Sequence, residues 1–240
     1  SIFIGHIKDV GSYAISGLAV TFPLMNISTA LGTLVGVGAS TILSMLLGQR
    51  NYQAANKVII NEVMLNVIIG TLYTVITLVF LDPILMFFGA SANTLPYARD
   101  YMVIILIGNV ITHLYFGLNN IIRASGNPKL AMALTIFTVV SNTILDPIFI
   151  FWLDMGIKGA ALATVICQLL ALVYIVRYFL SGKNYLRLPR RMSEYRLDWR
   201  IAKDSLTVGM GPFLMNSAAC IVTMFINCLL YTSPSPRDTR

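Results

Sequence analysis

Residues 130–153 read LAMALTIFTVVSNTILDPIFIFWL, twenty-four residues whose one charge is Asp146. A run of this length and composition spans a bilayer as an α-helix. Lys129 and Lys158 are the nearest basic residues in sequence, and neither lies within the run. A carboxylate at membrane depth costs roughly 2.5 kcal/mol even on lenient insertion scales, so such a residue faces a cavity or a partner and marks an ion or proton path. Asn142 precedes Asp146 by one helical turn and shares its face. Thr135 and Thr138 continue the polar stripe, spaced by three, four and four residues. Pro147 lacks an N–H, so the carbonyl of Thr143 loses its helical partner. A carboxylate, an amide and a freed carbonyl at one level suit a hard cation, or a proton held by hydrogen-bonding groups.

The rest of the chain extends this reading. Of 240 residues, 57% are hydrophobic and 11% charged, where a soluble domain carries about 25% charged residues. Mean hydropathy is +0.77. The charges collect between uncharged runs: Val10–Gln49, Val63–Leu81, Tyr101–Ile122, Leu130–Leu145, Gly159–Val176 and Ser205–Asn227. Splitting the first run at Pro23–Asn26 leaves too few residues on one side to cross ~30 Å of hydrocarbon. It therefore predicts one long helix from roughly Gly17 to Leu47, with Pro23 near its start, where proline is tolerated. The fold class is all-α, a polytopic membrane helix bundle. Counting the gaps alternately, twelve Lys/Arg fall on one side (Arg50, Lys57, Arg123, Lys129 and eight in Arg177–Lys203) and three on the other (Lys8, Arg99, Lys158). That bias makes the first side cytoplasmic. It also accounts for most of the net charge of +7, with anionic lipid as counter-charge and no need of nucleic acid.

Several features read as packing. Ser28, Gly32, Gly36, Ser40, Ser44 and Gly48 form a ridge of small residues along the first helix, which lets a neighbouring backbone approach or slide. The stretch GTLVGVGAST within it lacks the lysine of a phosphate-binding loop. Cys167 and Cys220 lie in apolar runs without metal spacing and read as small hydrophobes. His6 and His113 are single histidines with no ligand spacing and receive no role. LDPI occurs at Leu81–Ile84 and again at Leu145–Ile148. Asp82 ends an apolar run and is expected at the outer boundary, capping Pro83–Phe88, whereas Asp146 is expected at depth. Segment 181–203 interleaves basic residues with Leu186, Leu188, Tyr195 and Trp199. It reads as a cytoplasmic linker, either solvated or lying on the inner membrane surface. Asn119, Asn120, Thr164 and Gln168 are polar groups within spans that serve as interhelical glue or as further site ligands. No nucleophile–base pair, metal spacing or nucleotide motif supports an enzyme.

RASGNPK (residues 123–129), NTILDP (142–147) and GIKGAALATVICQ (156–168) carry a resemblance to the multidrug and toxic compound extrusion (MATE) family, extending from Ser1 to about Asn227. The resemblance implies twelve helices in two lobes, monomeric when full length. It implies a multi-pass protein of the cell's inner membrane, exporting drugs or organic cations by antiport with Na⁺ or H⁺ and requiring no cofactor. Residues 1–180 would then be the amino-terminal lobe, with the end of helix 1 and helices 2–6, that is, five complete transmembrane helices. Residues 181–203 would be the basic interlobe linker, 204–227 the start of helix 7, and 228–240 a non-native tail resembling a translated sequencing adapter. Asn119, Asn142, Asp146 and Thr164 match family positions that gather around the cation, and Na⁺ or a proton would bind there. A further first-helix aspartate would precede Ser1. Ser205–Asn227 holds no acidic residue, which favours coupling through the first lobe. The resemblance assigns no substrate-binding residues. A lipid-linked oligosaccharide flippase of the same superfamily is the alternative; its cavity would be lined with cations, and no Lys or Arg lies inside a span here.

Overall fold

The computed structural model describes residues 11–181, 186–189 and 196–232. They form eight α-helices and one π-helical turn, with no strand among the described residues: α1 (Gly11–Gly48), α2 (Tyr52–Val79), α3 (Leu81–Phe87), α4 (Leu95–Ile107), α5 (Asn109–Ala124), α6 (Pro128–Pro147), the π turn (Ile148–Trp152), α7 (Gly156–Leu180) and α8 (Trp199–Thr232). Four of these segments are long and apolar enough to cross a membrane: Ser16–Gly48, Tyr52–Val79, Pro128–Trp152 and Gly156–Leu180. α4 and α5 together make a fifth span, bent by 54°.

Local chemistry sets the element boundaries. Asn51 caps α2, its side-chain oxygen accepting from the Ala54 N–H at 3.1 Å, which satisfies one of the orphan donors of a helix start. α5 turns into α6 through Ser125–Gly126–Asn127, with Gly126 at φ 90° and Pro128 opening α6. Pro147 ends regular α geometry, and the backbone continues as the π turn, the local adjustment expected where a hydrogen bond is missing.

Three expectations change. The apolar run 101–122 is two helices, because Gly108 interrupts it and a Cβ there would collide with the Val165 side chain on α7. The close approach of α7 is compatible with glycine alone, so the span bends at that point. Asp82 is not a cap: the N-cap of α3 is Phe80, with no side-chain cap bond. Asp82 sits in the first turn instead, 3.5 Å from the Arg99 Nε. The described parts of the linker, 186–189 and 196–198, pack on protein, which is neither of the two arrangements expected, solvated or on the membrane surface. Leu186 and Leu188 are buried in the core cluster that includes Ala55, Ile59 and Phe179. The Arg187 N–H donates to the Asn56 Oδ1, and the Asp198 N–H to the Asn61 Oδ1, each at 2.8 Å. Trp199 is exposed and already lies in α8; Tyr195 lies outside the described residues. So do residues 1–10 and 233–240, while α8 runs on to Thr232 and so includes the first part of the segment read as a tail.

α5 occupies the centre, packing against α1, α2, α6 and α7, while α6 touches α5 and α7 and α4 packs on α7 and α1. α6 is peripheral, with one narrow buried stripe: Ala131, Leu134, Thr138 and Asp146. Its other faces present Met132, Ile136, Phe137, Val139, Val140 and Ile144 outward. In a membrane these side chains meet lipid, at no hydrophobic cost.

Candidate functional site

The same stripe aims Asp146 into the protein. Asp146 is 5% exposed, whereas Ile144, two residues earlier, is 57% exposed. The helical period places them on different faces. Asn142, one turn below, donates through its Nδ2 to the Asp146 Oδ1 at 3.3 Å and to the Thr164 Oγ1 at 3.1 Å. One amide thus joins the carboxylate on α6 to the hydroxyl on α7. Thr164 spends its own proton within its helix, on the Ala160 carbonyl at 3.0 Å. This leaves its oxygen free to accept, and the amide is held in one orientation.

Tyr101 on α4 lies within electrostatic reach of Asp146 and is buried among Ile150, Ile157, Ala160 and Ala161. Cys167 on α7 is also within that reach. The buried carboxylate on α6 is therefore within reach of side chains from α4 and α7. Further along the α5–α6–α7 contact, the Thr112 hydroxyl donates to the Gln168 Oε1 at 2.5 Å, and the Tyr115 and Thr138 hydroxyls meet at 3.1 Å. These bonds fix the helices that carry the site. Among the described residues no group of three or more His, Cys, Asp or Glu side chains could hold a metal ion. The acceptors at Asp146 are a carboxylate, an amide oxygen and a hydroxyl, suited to a proton or a small hard cation.

Asn119 does not join this site. Its Nδ2 donates to the Ala131 carbonyl at 3.2 Å. Ala131 lies fifteen residues before Asp146, which at ~1.5 Å per residue is about 20 Å along α6. The tight α5–α6 turn imposes this register: residues at equal distance from the turn face one another, so Asn119 meets Ala131. Asn120 lies instead against Gly36 of α1. Tyr101 is the neighbour that sequence reasoning missed, and only the bend at Gly108 brings its arm across to α7. His113, left without a role, is buried on α5 with its Nε2 3.0 Å from the Ser28 Oγ.

A bundle of apolar spans in which a buried carboxylate is bonded by an amide that also reaches a neighbouring helix defines a polytopic membrane protein with an intramembrane polar site. Comparison with known proteins makes this specific. The MatE family model matches residues 1–148; the chain belongs to this family. It is 30% identical over 228 residues to the "Multidrug export protein MepA" of Staphylococcus aureus (strain MSSA476), an alignment covering 95% of this chain and 50% of the relative. It is 33% identical to the protein of the same description from Staphylococcus haemolyticus (strain JCSC1435), covering 96% and 50%. The chain thus spans about half the length of the curated relatives it matches. A structure described as the outward-facing conformation of a multidrug resistance MATE family transporter of the MOP superfamily superposes with a TM-score of 0.85 at 26% identity, covering 95% of this chain and 49% of that one. The inward-facing conformation superposes with a TM-score of 0.83 at 26% identity, covering 90% and 49%.

Proposed function

We propose that this chain forms the amino-terminal lobe of a secondary active multidrug exporter. It would move organic, often cationic compounds out of the cell across its inner membrane by antiport with Na⁺ or H⁺. The coupling cation binds at Asp146, Asn142 and Thr164. The observation that carries this reading is the Asn142 amide, which bridges a buried carboxylate to a second helix. Neutralising Asp146 removes the charge that Asn142 and the pocket are organised around. The α6–α7 contact then repacks, and the cation acts through its different affinity for the two arrangements. The similarity of this half to the corresponding half of both an inward- and an outward-facing transporter supports a lobe that moves largely as one body.

The test uses the full reading frame expressed in a drug-sensitive host. Asp146→Asn should abolish drug efflux while membrane insertion is unchanged. Replacing Na⁺ by choline in wild-type cells then distinguishes the coupling ions. Efflux at the wild-type rate in Asp146→Asn would remove Asp146 from the mechanism.

A further inference from the structure

Across α5 from Asp146 runs a second polar seam, where three helices present small or polar residues at matching levels. Ser28, Gly32 and Gly36 come from α1; Glu62, Asn66, Gly70 and Thr74 from α2; Asn109, His113, Gly117 and Asn120 from α5. At one end the seam is well satisfied. The Ser28 hydroxyl donates to the Asn109 Oδ1 at 2.6 Å, and the Asn109 Nδ2 donates to the Gly70 carbonyl and the Thr74 Oγ1, each at 3.3 Å.

At the other end lies Glu62, which, like Asn66, is 0% exposed. The backbone of α5 rests on this carboxyl group, since a Cβ on Gly117 would occupy the space of the Glu62 and Asn66 side-chain ends. The Asn66 Nδ2 donates to the Glu62 Oε1 at 2.5 Å and to the Glu62 backbone carbonyl at 3.2 Å. Two atoms are then left over, the Glu62 Oε2 and the Asn66 Oδ1, both buried and without a hydrogen-bond partner among the described residues. Both are acceptors when the acid is ionised, so neither can satisfy the other, and each orphaned buried polar group is costly. One proton on Oε2 changes the arithmetic. It turns that oxygen into a donor, and the unpartnered Oδ1 belongs to the same amide that already bonds Oε1, so one proton can satisfy both orphans.

Among the described residues no basic side chain pairs with the ionised form. α1 carries no charged residue, and from α5 the facing titratable group is His113, one turn from Gly117. Lys57 on α2, Arg123 on α5, and Lys203 and Asp204 on α8 are exposed. Tyr73 on α2 donates its hydroxyl to the Leu24 carbonyl. Asp82 of α3 is paired with Arg99 of α4, and Asp100 of α4 with Lys158 of α7. A hard metal ion takes six or more oxygens, and the Glu62 and Asn66 side chains together offer three.

We propose that Glu62 and Asn66 form a second proton-binding site, separate from Asp146, in which one proton held between the Glu62 Oε2 and the Asn66 Oδ1 closes an acid–amide pair on the α1–α2–α5 seam. Gly117 of α5 covers the other half of the pair, the Glu62 Oε1 and the Asn66 Nδ2.

Infrared difference spectroscopy on the purified chain in lipid vesicles tests this without any transport assay. At neutral pH the wild type should show a protonated-carboxyl C=O band that shifts in D₂O and disappears at strongly alkaline pH. The band should be lost in Glu62→Gln, persist in Asp146→Asn, and move to higher frequency in Asn66→Leu, where the acid loses its amide partner. Glu62→Gln keeps the shape, and its own amide can pair with Asn66, so circular dichroism should report a folded chain. Should that variant not fold, the Asn66→Leu shift decides, and an unmoved band overturns the assignment. A band indifferent to Glu62→Gln also overturns it, as does one that vanishes when NaCl replaces choline chloride at constant pH. Because Asp146→Asn is carried in parallel, failure here is distinguishable from failure of the coupling site.

Discussion

Replacing Asn142 by alanine removes two hydrogen bonds made by one amide, and they differ in kind. The bond to the Thr164 hydroxyl, at 3.1 Å, is neutral and contributes about 1 kcal/mol. The bond to Asp146, at 3.3 Å, reaches a carboxylate; its length puts it at the lower end of the charged range, about 1.5 kcal/mol. The sum is about 2.5 kcal/mol, which for a chain of this size lowers the melting temperature by about 5–10 °C. The informative comparison is the same substitution in an Asp146→Ala background. There only the Thr164 bond remains to be lost, so the drop should shrink to about 2–4 °C, a coupling of about 1.5 kcal/mol between the two positions. Thermal unfolding of the four proteins in lipid nanodiscs measures this cycle. Equal drops in both backgrounds would refute the bridge, because Asn142 would then be stabilising α6 without engaging the carboxylate.

Three further outcomes follow from the geometry. Asp82→Asn breaks only a half-exposed pair with Arg99 and should change stability by no more than ~0.5 kcal/mol, read as an unmoved melting temperature, although its LDPI context is the same as that of Asp146. Asn56→Ala removes the acceptor for the Arg187 N–H, about 1 kcal/mol of local restraint, and tryptic cleavage after Arg187, followed by mass spectrometry, should become about fivefold faster. Phe179→Ala empties a fully buried site in the cluster beside the linker at a cost of about 3–5 kcal/mol, and should lower the melting temperature more than any other substitution named here.

The spans were legible because apolar length is a one-dimensional property: the runs that mark α2, α6 and α7 needed no knowledge of neighbours, although each helix begins before its run. Asp146 and Asn142 were legible for a similar reason, since their spacing within one helix places both on one face. Properties that depend on other helices were not. The bend at Gly108 is invisible in an unbroken apolar run, because the neighbour packed against that glycine, Val165, is on α7. Asn119 was carried into the site by resemblance, yet the tight turn at Gly126 pairs it with Ala131 at the far end of α6. Leu186 and Leu188 sat in a basic segment that read as solvated or as lying on the membrane surface; their burial, and the bonds from the Arg187 and Asp198 N–H groups to Asn56 and Asn61, depend on α2. Glu62 was overlooked because one charge at the edge of an apolar run reads as a boundary. α2 begins ten residues earlier than Glu62, at Tyr52, and therefore carries it inside.

The bent span has a mechanical consequence. Its α4 arm carries Tyr101 to the Asp146 pocket, while its α5 arm carries His113 and Gly117 to the Glu62 seam, and the joint between the arms is Gly108. The α4 arm has thirteen residues, so it acts as a lever of about 20 Å. Tyr101 lies seven residues from the joint, about 10 Å along the arm, so a change of ~5° there would move it by about 1 Å. The two polar sites therefore share one structural element: the joint at Gly108 stands between the residue lent to one and the residues lent to the other.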